Sequence, residues 1–308
     1  MTTPHPTLRL DIARRVIPAL AVAVLVAACG ANSGTAAPNA GSLTVVTTTT
    51  VFADLVQNLG GDRVTASSII PPGVGPEDYE PKPDDARKLA DARLVVSNGV
   101  GLDDFLSDLL ASGGAEDTPA LVLGEGIPVV TVDGEDNPHF WLDPTLVKRY
   151  YIPAITAKLA ELDPAGKTTY DANAASYGAE LDALDAELMG RIAEIPEANR
   201  KLVTFHDAFP YFAQHFGFEM VGVVLENVGQ EPTASELAAL VDTVKAAGVK
   251  AVFSEAQFNP KLAETLAQEA GITSVVTTLY TDALGPAPAD SYIGLMRWNV
   301  DEIVGALS

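Results

Sequence analysis

Histidine and acidic side chains occur in this sequence at points where strands are predicted to end. His206 directly follows the predicted strand 201–205, and Asp282 follows the apolar run 274–280. Parallel strands end at a common edge of their sheet, and α/β proteins bind ligands in the crevice beyond that edge. Imidazole and carboxylate groups together suit a divalent transition metal. These residues therefore predict a metal site.

Further candidate ligands fit the same pattern. His139 lies in a loop bounded by prolines, and Glu255 ends the predicted strand 250–254. Three more carboxylates follow the predicted strand 64–70: Glu77, Asp78 and Glu80. The residue types and their positions relative to the strands, taken together, carry the prediction.

Each residue taken singly has an ordinary structural explanation. A histidine in a globular chain is more often hydrogen-bonded or exposed than a metal ligand. A carboxylate at a helix start is usually a cap, and that role is predicted for Asp207 and Glu236. His215 lies among phenylalanines within 211–218 and is predicted to pack on a helix face. His5 is expected to be removed with an N-terminal signal.

Composition excludes several classes of protein. The 308 residues carry 19 Lys+Arg and 41 Asp+Glu, a net charge of −22, which argues against nucleic-acid binding and against docking on anionic lipid by charge. A single cysteine excludes an intramolecular disulfide and multi-cysteine zinc or iron–sulfur sites. The hydrophobic content of 47% is enough for a sizeable core, so global disorder is excluded.

The N-terminus is typical of a secreted lipoprotein. Residues 1–28 are interpreted as a signal peptide, because arginines precede an apolar run, 16–28, that is too short to span a bilayer. Cys29 follows two alanines, which resembles a bacterial lipobox; a buried cysteine is the alternative. Residues 29–42 predict a lipidated, flexible tether. We expect the protein to be anchored through Cys29 on the extracytoplasmic face of the cell membrane.

The remaining chain predicts an α/β fold with two lobes, each a mainly parallel sheet flanked by helices, joined by one long connecting helix. Strand and helix patterns alternate over 43–143 and again over 197–308, which defines the N-terminal and C-terminal lobes. The helical section 144–196 lacks strand signals. Within it, a helix from Pro164 to about residue 194 would be roughly 45 Å long, enough to connect the lobes.

Several motifs, in order from about residue 43 to the C-terminus, resemble the metal-binding solute-binding lipoproteins of bacterial zinc/manganese ABC transporters. The matching segments are 45–64, 71–73, 79–81, 94–99, 138–144, 202–213, 231–233 and 279–282. The resemblance implies the same two-lobed fold. It also implies a receptor that captures a divalent transition metal between its lobes and delivers it to an ABC permease and its ATPase.

The resemblance further implies four metal ligands. Three match the family pattern: His139, His206 and Asp282. The remaining position is usually histidine, whereas this chain has Glu77; Asp78, Glu80 or a water are the alternatives. The segment 205–209 is similar to zinc-specific members, but two histidines with two carboxylates are also typical of manganese members. Zn²⁺ is therefore expected ahead of Mn²⁺.

Two other functions are alternatives to the receptor. A metal-dependent hydrolase could use Glu77 or Glu255 as a general base beside a metal-bound water. However, the sequence lacks a His-Glu-x-x-His helix and a Gly-x-Ser-x-Gly elbow, so the protein is not expected to be an enzyme. A surface adhesin is the third interpretation. We expect a monomer with no nucleic-acid partner.

Overall fold

The computed structural model describes residues 1–2, 41–76, 79–132, 134–225 and 232–308. The predicted signal peptide from residue 3, Cys29, Glu77 and Asp78 lie outside these residues. The described chain from Gly41 onward belongs to one compact unit. The boundaries assigned above to the tether, the lobes and the helical section remain predictions.

The first sheet has four parallel strands in the order β2-β1-β3-β4. They are β1 (Leu43–Thr47), β2 (Val64–Ser68), β3 (Leu94–Ser97) and β4 (Ala120–Val122). Helices cover both faces, because neighbouring strand residues point to opposite sides. Val45 packs in the core that contains α1 (Thr50–Gly60), whereas Val46 packs against α2 (Pro83–Ala90) and α3 (Phe105–Gly113). A short antiparallel hairpin follows, formed by β5 (Thr131–Val132) and β6 (Glu135–Asp136).

The middle section is helical, as predicted. Asp143 caps α4 (Pro144–Leu146) by accepting a hydrogen bond from the Thr145 amide, and the chain continues through a π-helical turn into α5 (Ile152–Leu162). The long helix α6 (Lys167–Ile192) has 26 residues and is about 39 Å long. None of the helices in the described ranges is both long and apolar enough to cross a membrane.

Helix α6 begins later than Pro164 because residues Pro164–Gly166 form a 3₁₀ turn. Asp163, just before this turn, accepts hydrogen bonds from Arg63 (2.7 Å) and Tyr170 (2.7 Å). The Tyr170 hydrogen bond is the main cause of a lowered pKa for the Asp163 carboxyl, and Arg63 adds to it. This cluster ties the start of α6 to the first lobe, since Arg63 directly precedes β2.

The second sheet region contains two parallel pairs, β7-β8 and β9-β10, with β7 beside β9. The strands are β7 (Lys201–His206), β8 (Glu219–Leu225), β9 (Ala251–Glu255) and β10 (Ser274–Leu279). The helices are α7 (Pro210–Phe216), α8 (Ala234–Ala247), α9 (Lys261–Ala270) and α10 (Tyr292–Leu307). Thr233 and Glu236 form a capping box at α8, which confirms the cap predicted for Glu236.

One apolar core extends through both lobes. Helix α6 contributes residues at helical spacing: Tyr170, Tyr177, Leu181, Leu184, Leu188 and Ile192. They pack against α1, α5 and α10. Separate cores lie beneath α2 and α3 and beneath α8 and α9. The connecting helix is therefore an integral part of a shared core.

Two neighbouring residues of α6 test this packing. Leu188 is 1% exposed and Met189 is 39% exposed. Leu188→Ala should lower the free energy of unfolding by about 2–5 kcal/mol, because it leaves a cavity in the shared core. Met189→Ala is the matched control and should change it by less than about 0.5 kcal/mol. Urea unfolding followed by circular dichroism measures both; equal effects would contradict this placement of α6.

Candidate metal centre

The ends of three strands of the second lobe bring together the acidic and histidine residues. His206 is the last residue of β7, Glu255 is the last residue of β9, and Asp282 lies three residues beyond β10. Strands β9 and β10 are parallel, and β7 lies beside β9. The contact between His206 and Glu255 (2.9 Å) shows that the ends of β7 and β9 meet. His139 reaches this place from the loop that precedes α4.

Three of the predicted ligands form a buried cluster. His139 Nε2 lies 3.3 Å from Asp282 Oδ1, and His206 Nε2 lies 3.5 Å from Asp282 Oδ2. One ligand atom from each residue lies within 4.8 Å of the others. Two atoms bound to one tetrahedral zinc ion, each about 2.1 Å from it, are roughly 3.4 Å apart. The spacing therefore fits a small transition-metal ion.

Asn137 orients the ring of His139. Its Oδ1 accepts a hydrogen bond from the His139 amide (3.1 Å) and lies 3.1 Å from His139 Nδ1. Its Nδ2 donates to the carbonyl and carboxylate of Asp207 at 2.6 and 3.0 Å. The prediction that Asp207 caps a helix is wrong, because α7 is preceded by Phe209. With Nδ1 held by Asn137, His139 directs Nε2 toward Asp282.

Glu255 has the equivalent role for His206. Its Oε1 lies 2.9 Å from His206 Nδ1, and its side chain is fully buried. Metal-binding histidines commonly direct their second ring nitrogen at a carboxylate or carbonyl, which fixes the ring and raises its basicity. Glu255 therefore lies at the Nδ1 side of the His206 ring, whereas the Nε2 side faces Asp282.

Asp282 is completely buried and carries the negative charge of the site. Burial acts to raise the pKa of its carboxyl, but the neighbouring His206 and His139 rings and the Thr281 hydroxyl outweigh burial and lower the pKa to about 2. The group is therefore anionic at neutral pH. An uncompensated buried anion is costly, and a bound cation compensates it directly.

Trp141 connects the His139 loop to the Asp282 loop. Its Nε1 donates to the Thr281 carbonyl (2.7 Å), and its own carbonyl accepts from the Tyr292 hydroxyl (2.7 Å). On the other side, Asn98 of the first lobe donates to the Pro138 carbonyl (2.9 Å). Contacts from both lobes thus fix the loop that carries His139.

The remaining candidate residues lie apart from this cluster or outside the described residues. His215 Nε2 lies 2.6 Å from Asp185 Oδ1, and its ring packs edge-on against Phe216. Glu80 is exposed. Glu77 and Asp78 lie outside the described residues. Their neighbours Pro76 and Tyr79 line a cleft that also contains His139 and His206.

Several residues at the site had no predicted role. Trp141, Gln257 and Asn299 were not singled out by the sequence. Asn299 on α10 accepts from the amide of Tyr280 (2.9 Å) and donates to its carbonyl (2.5 Å), which fixes the chain just before Asp282. Of these three residues, only Gln257 could have been found from its position near the end of a strand, because it lies two residues beyond β9. Trp141 and Asn299 act through backbone contacts that no residue pattern reveals.

Known proteins match almost the whole body of the chain. Residues 45–306 match the family described as zinc-uptake complex component A, periplasmic (ZnuA). The chain is 32% identical to the manganese-binding lipoprotein MntA of Halalkalibacterium halodurans, over 94% of this chain and 96% of that protein. It is 35% identical to the iron-binding protein YfeA of Yersinia pestis, over 84% of each chain.

Solved structures share the fold. The periplasmic zinc-binding protein TroA from Treponema pallidum has a TM-score of 0.79 and 28% identity, and the match covers 87% of this chain and all of that one. A Mn-bound periplasmic metal-binding protein from Candidatus Liberibacter asiaticus has a TM-score of 0.78 and 26% identity with the same coverage. The predicted α/β fold class, with parallel sheets and a long helix, is confirmed.

The hydrogen bond that the Trp141 indole donates can be compared with a similar one that Trp298 donates at the surface. Trp141→Phe leaves the Thr281 carbonyl, in a fully buried residue, without its donor and should lower the free energy of unfolding by about 1–3 kcal/mol. Trp298 donates an equally long bond, 2.7 Å, to the exposed Thr278 carbonyl, where water can replace it. Trp298→Phe should therefore lower the free energy of unfolding by less than Trp141→Phe does. Urea unfolding measures both variants. If Trp298→Phe lowered the free energy of unfolding more than Trp141→Phe does, the role of Trp141 in joining the two loops would be refuted.

Proposed function

The chain belongs to the family of periplasmic zinc-uptake components, and we propose from this premise that it captures a zinc ion and delivers it to an ABC permease and its ATPase. Relatives named as substrate-binding lipoproteins of metal and iron ABC transporters support this role, and the chain is not an enzyme. The observation that carries the proposal is the buried cluster of His139, His206 and Asp282.

Four side chains are proposed to hold the ion: Glu77, His139, His206 and Asp282. The orientation of both Nε2 atoms toward Asp282 supports the three described ligands. The position of Pro76 and Tyr79 on the same cleft supports Glu77. Two carboxylates would balance the charge of a divalent cation. The ion is the transported substrate, so it must be bound tightly enough for capture and still be released to the permease.

Zinc is proposed ahead of manganese. The relatives are named for manganese and iron, and a structural neighbour for zinc, so similarity alone does not select the metal. The segment 205–209, which is similar to zinc-specific members of the family, supports zinc. Manganese prefers more oxygen ligands and a larger coordination number.

The protein is proposed to act at the extracytoplasmic face of the membrane, held by acyl chains on Cys29. The apolar segment 16–28 followed directly by that cysteine supports this location. Relatives described as lipoproteins add support. The receptor is proposed to work as a monomer.

Loss of an imidazole in the cluster should weaken metal binding. His139→Ala should reduce zinc affinity by at least about 10-fold, because it removes a direct ligand. His215→Ala is the control, since that imidazole pairs with Asp185 outside the cluster. Competition titration against a zinc chelator measures both. If the wild type binds no transition metal in stoichiometric amount after reloading, the receptor proposal is overturned.

Exchange of Glu77 tests the fourth ligand. Glu77→His replaces a hard oxygen with a softer nitrogen and should increase the preference for Zn²⁺ over Mn²⁺. Asp78→Asn tests the alternative ligand and should leave the preference unchanged. The two metals are titrated in competition in each variant. If both affinity and preference stay constant in Glu77→His, Glu77 is not a ligand.

A further inference from the structure

The two oxygens of the Asp282 carboxylate have different surroundings. Oδ2 accepts hydrogen bonds from Gln257 Nε2 (2.8 Å) and Thr281 Oγ1 (2.9 Å). Oδ1 is buried and has no hydrogen-bond donor among the described residues, while His139 Nε2 lies 3.3 Å away. Oδ2 therefore already accepts two hydrogen bonds, although it lies 3.5 Å from His206 Nε2, whereas Oδ1 accepts none from the described residues and faces His139.

We propose that Gln257 and Thr281 determine metal selectivity by restricting Asp282 to a single metal-binding oxygen. The inference rests on the proposed function, because it assumes that Asp282 is a ligand. It assigns a selectivity role to two side chains that are not themselves placed in the ligand set.

The number of lone pairs supports this role. Each carboxylate oxygen has about two acceptor positions, and the two donors on Oδ2 occupy both. A metal can then bind Oδ1 alone. With one nitrogen from each histidine and one further ligand, the coordination number is four, which suits zinc. Manganese prefers more oxygen ligands, and a bidentate carboxylate would supply a second one. Because Oδ2 is not available here, the arrangement disfavours manganese.

The two donors are held in place by the backbone. Gln257 lies in the turn after β9, where the Ala256 amide donates to the Leu279 carbonyl at the end of β10 (3.0 Å). Thr281 is fully buried, and its carbonyl accepts the Trp141 indole bond. These hydrogen bonds fix the turn that carries Gln257 and the loop that carries Thr281 in the folded protein.

The decisive variants remove the donors with little change in volume. We expect Gln257→Met combined with Thr281→Val to free Oδ2 and to lower the ratio of manganese to zinc dissociation constants by about 10-fold, the usual scale of effects from residues that contact a ligand. Thr281→Ser keeps a hydroxyl and should retain the wild-type ratio. Each ratio is measured by competition titration with Zn²⁺ and Mn²⁺.

If Gln257 and Thr281 had only a structural role, their replacement would weaken the binding of both metals alike and leave the ratio of dissociation constants unchanged. An unchanged ratio in variants that still bind metal would overturn the inference but not the receptor function. Failure of the wild type to bind either metal would overturn both. A crystal structure of the zinc-loaded wild type tests the inference without any variant: we expect only Oδ1 of Asp282 on the ion, and bidentate coordination would refute it.

Discussion

The site is organised around a buried negative charge. Asp282 has no exposure to solvent, yet its carboxyl remains anionic because two imidazoles and two hydrogen-bond donors surround it. Placing such a charge in a protein interior is costly unless it is paired. Each element near the site serves that pairing: β7 carries His206, the loop before α4 carries His139, and the turn after β9 carries Gln257.

Hydrogen bonds behind the proposed ligands hold these loops in a fixed geometry. Asn137 and Glu255 hold the far side of each imidazole, and Trp141 joins the His139 loop to the Asp282 loop. Both histidines therefore direct Nε2 at the same carboxylate. Such pre-orientation reduces the entropy lost when a metal binds, so affinity depends on these partners as well as on the ligands.

The shared apolar core limits how the receptor changes shape. Helices α1, α5, α6 and α10 pack together across the lobes, so a wide opening would expose apolar surface. Release of the ion is therefore expected to depend on modest shifts of the lobes and of the site loops. A receptor of this kind differs from one whose lobes are joined only by flexible strands.

The sequence alone determined the type and order of the elements, because strand and helix patterns with periods of two and 3.6 residues are local properties. It also placed His206 at the end of a strand, Asp282 shortly after another strand, and His139 in a loop bounded by prolines. The tertiary structure alone decided which side chains meet. Asp207 pairs with Asn137 instead of capping a helix, and Gln257 reaches Asp282 from another strand, because hydrogen bonds between distant segments depend on how the strands pack.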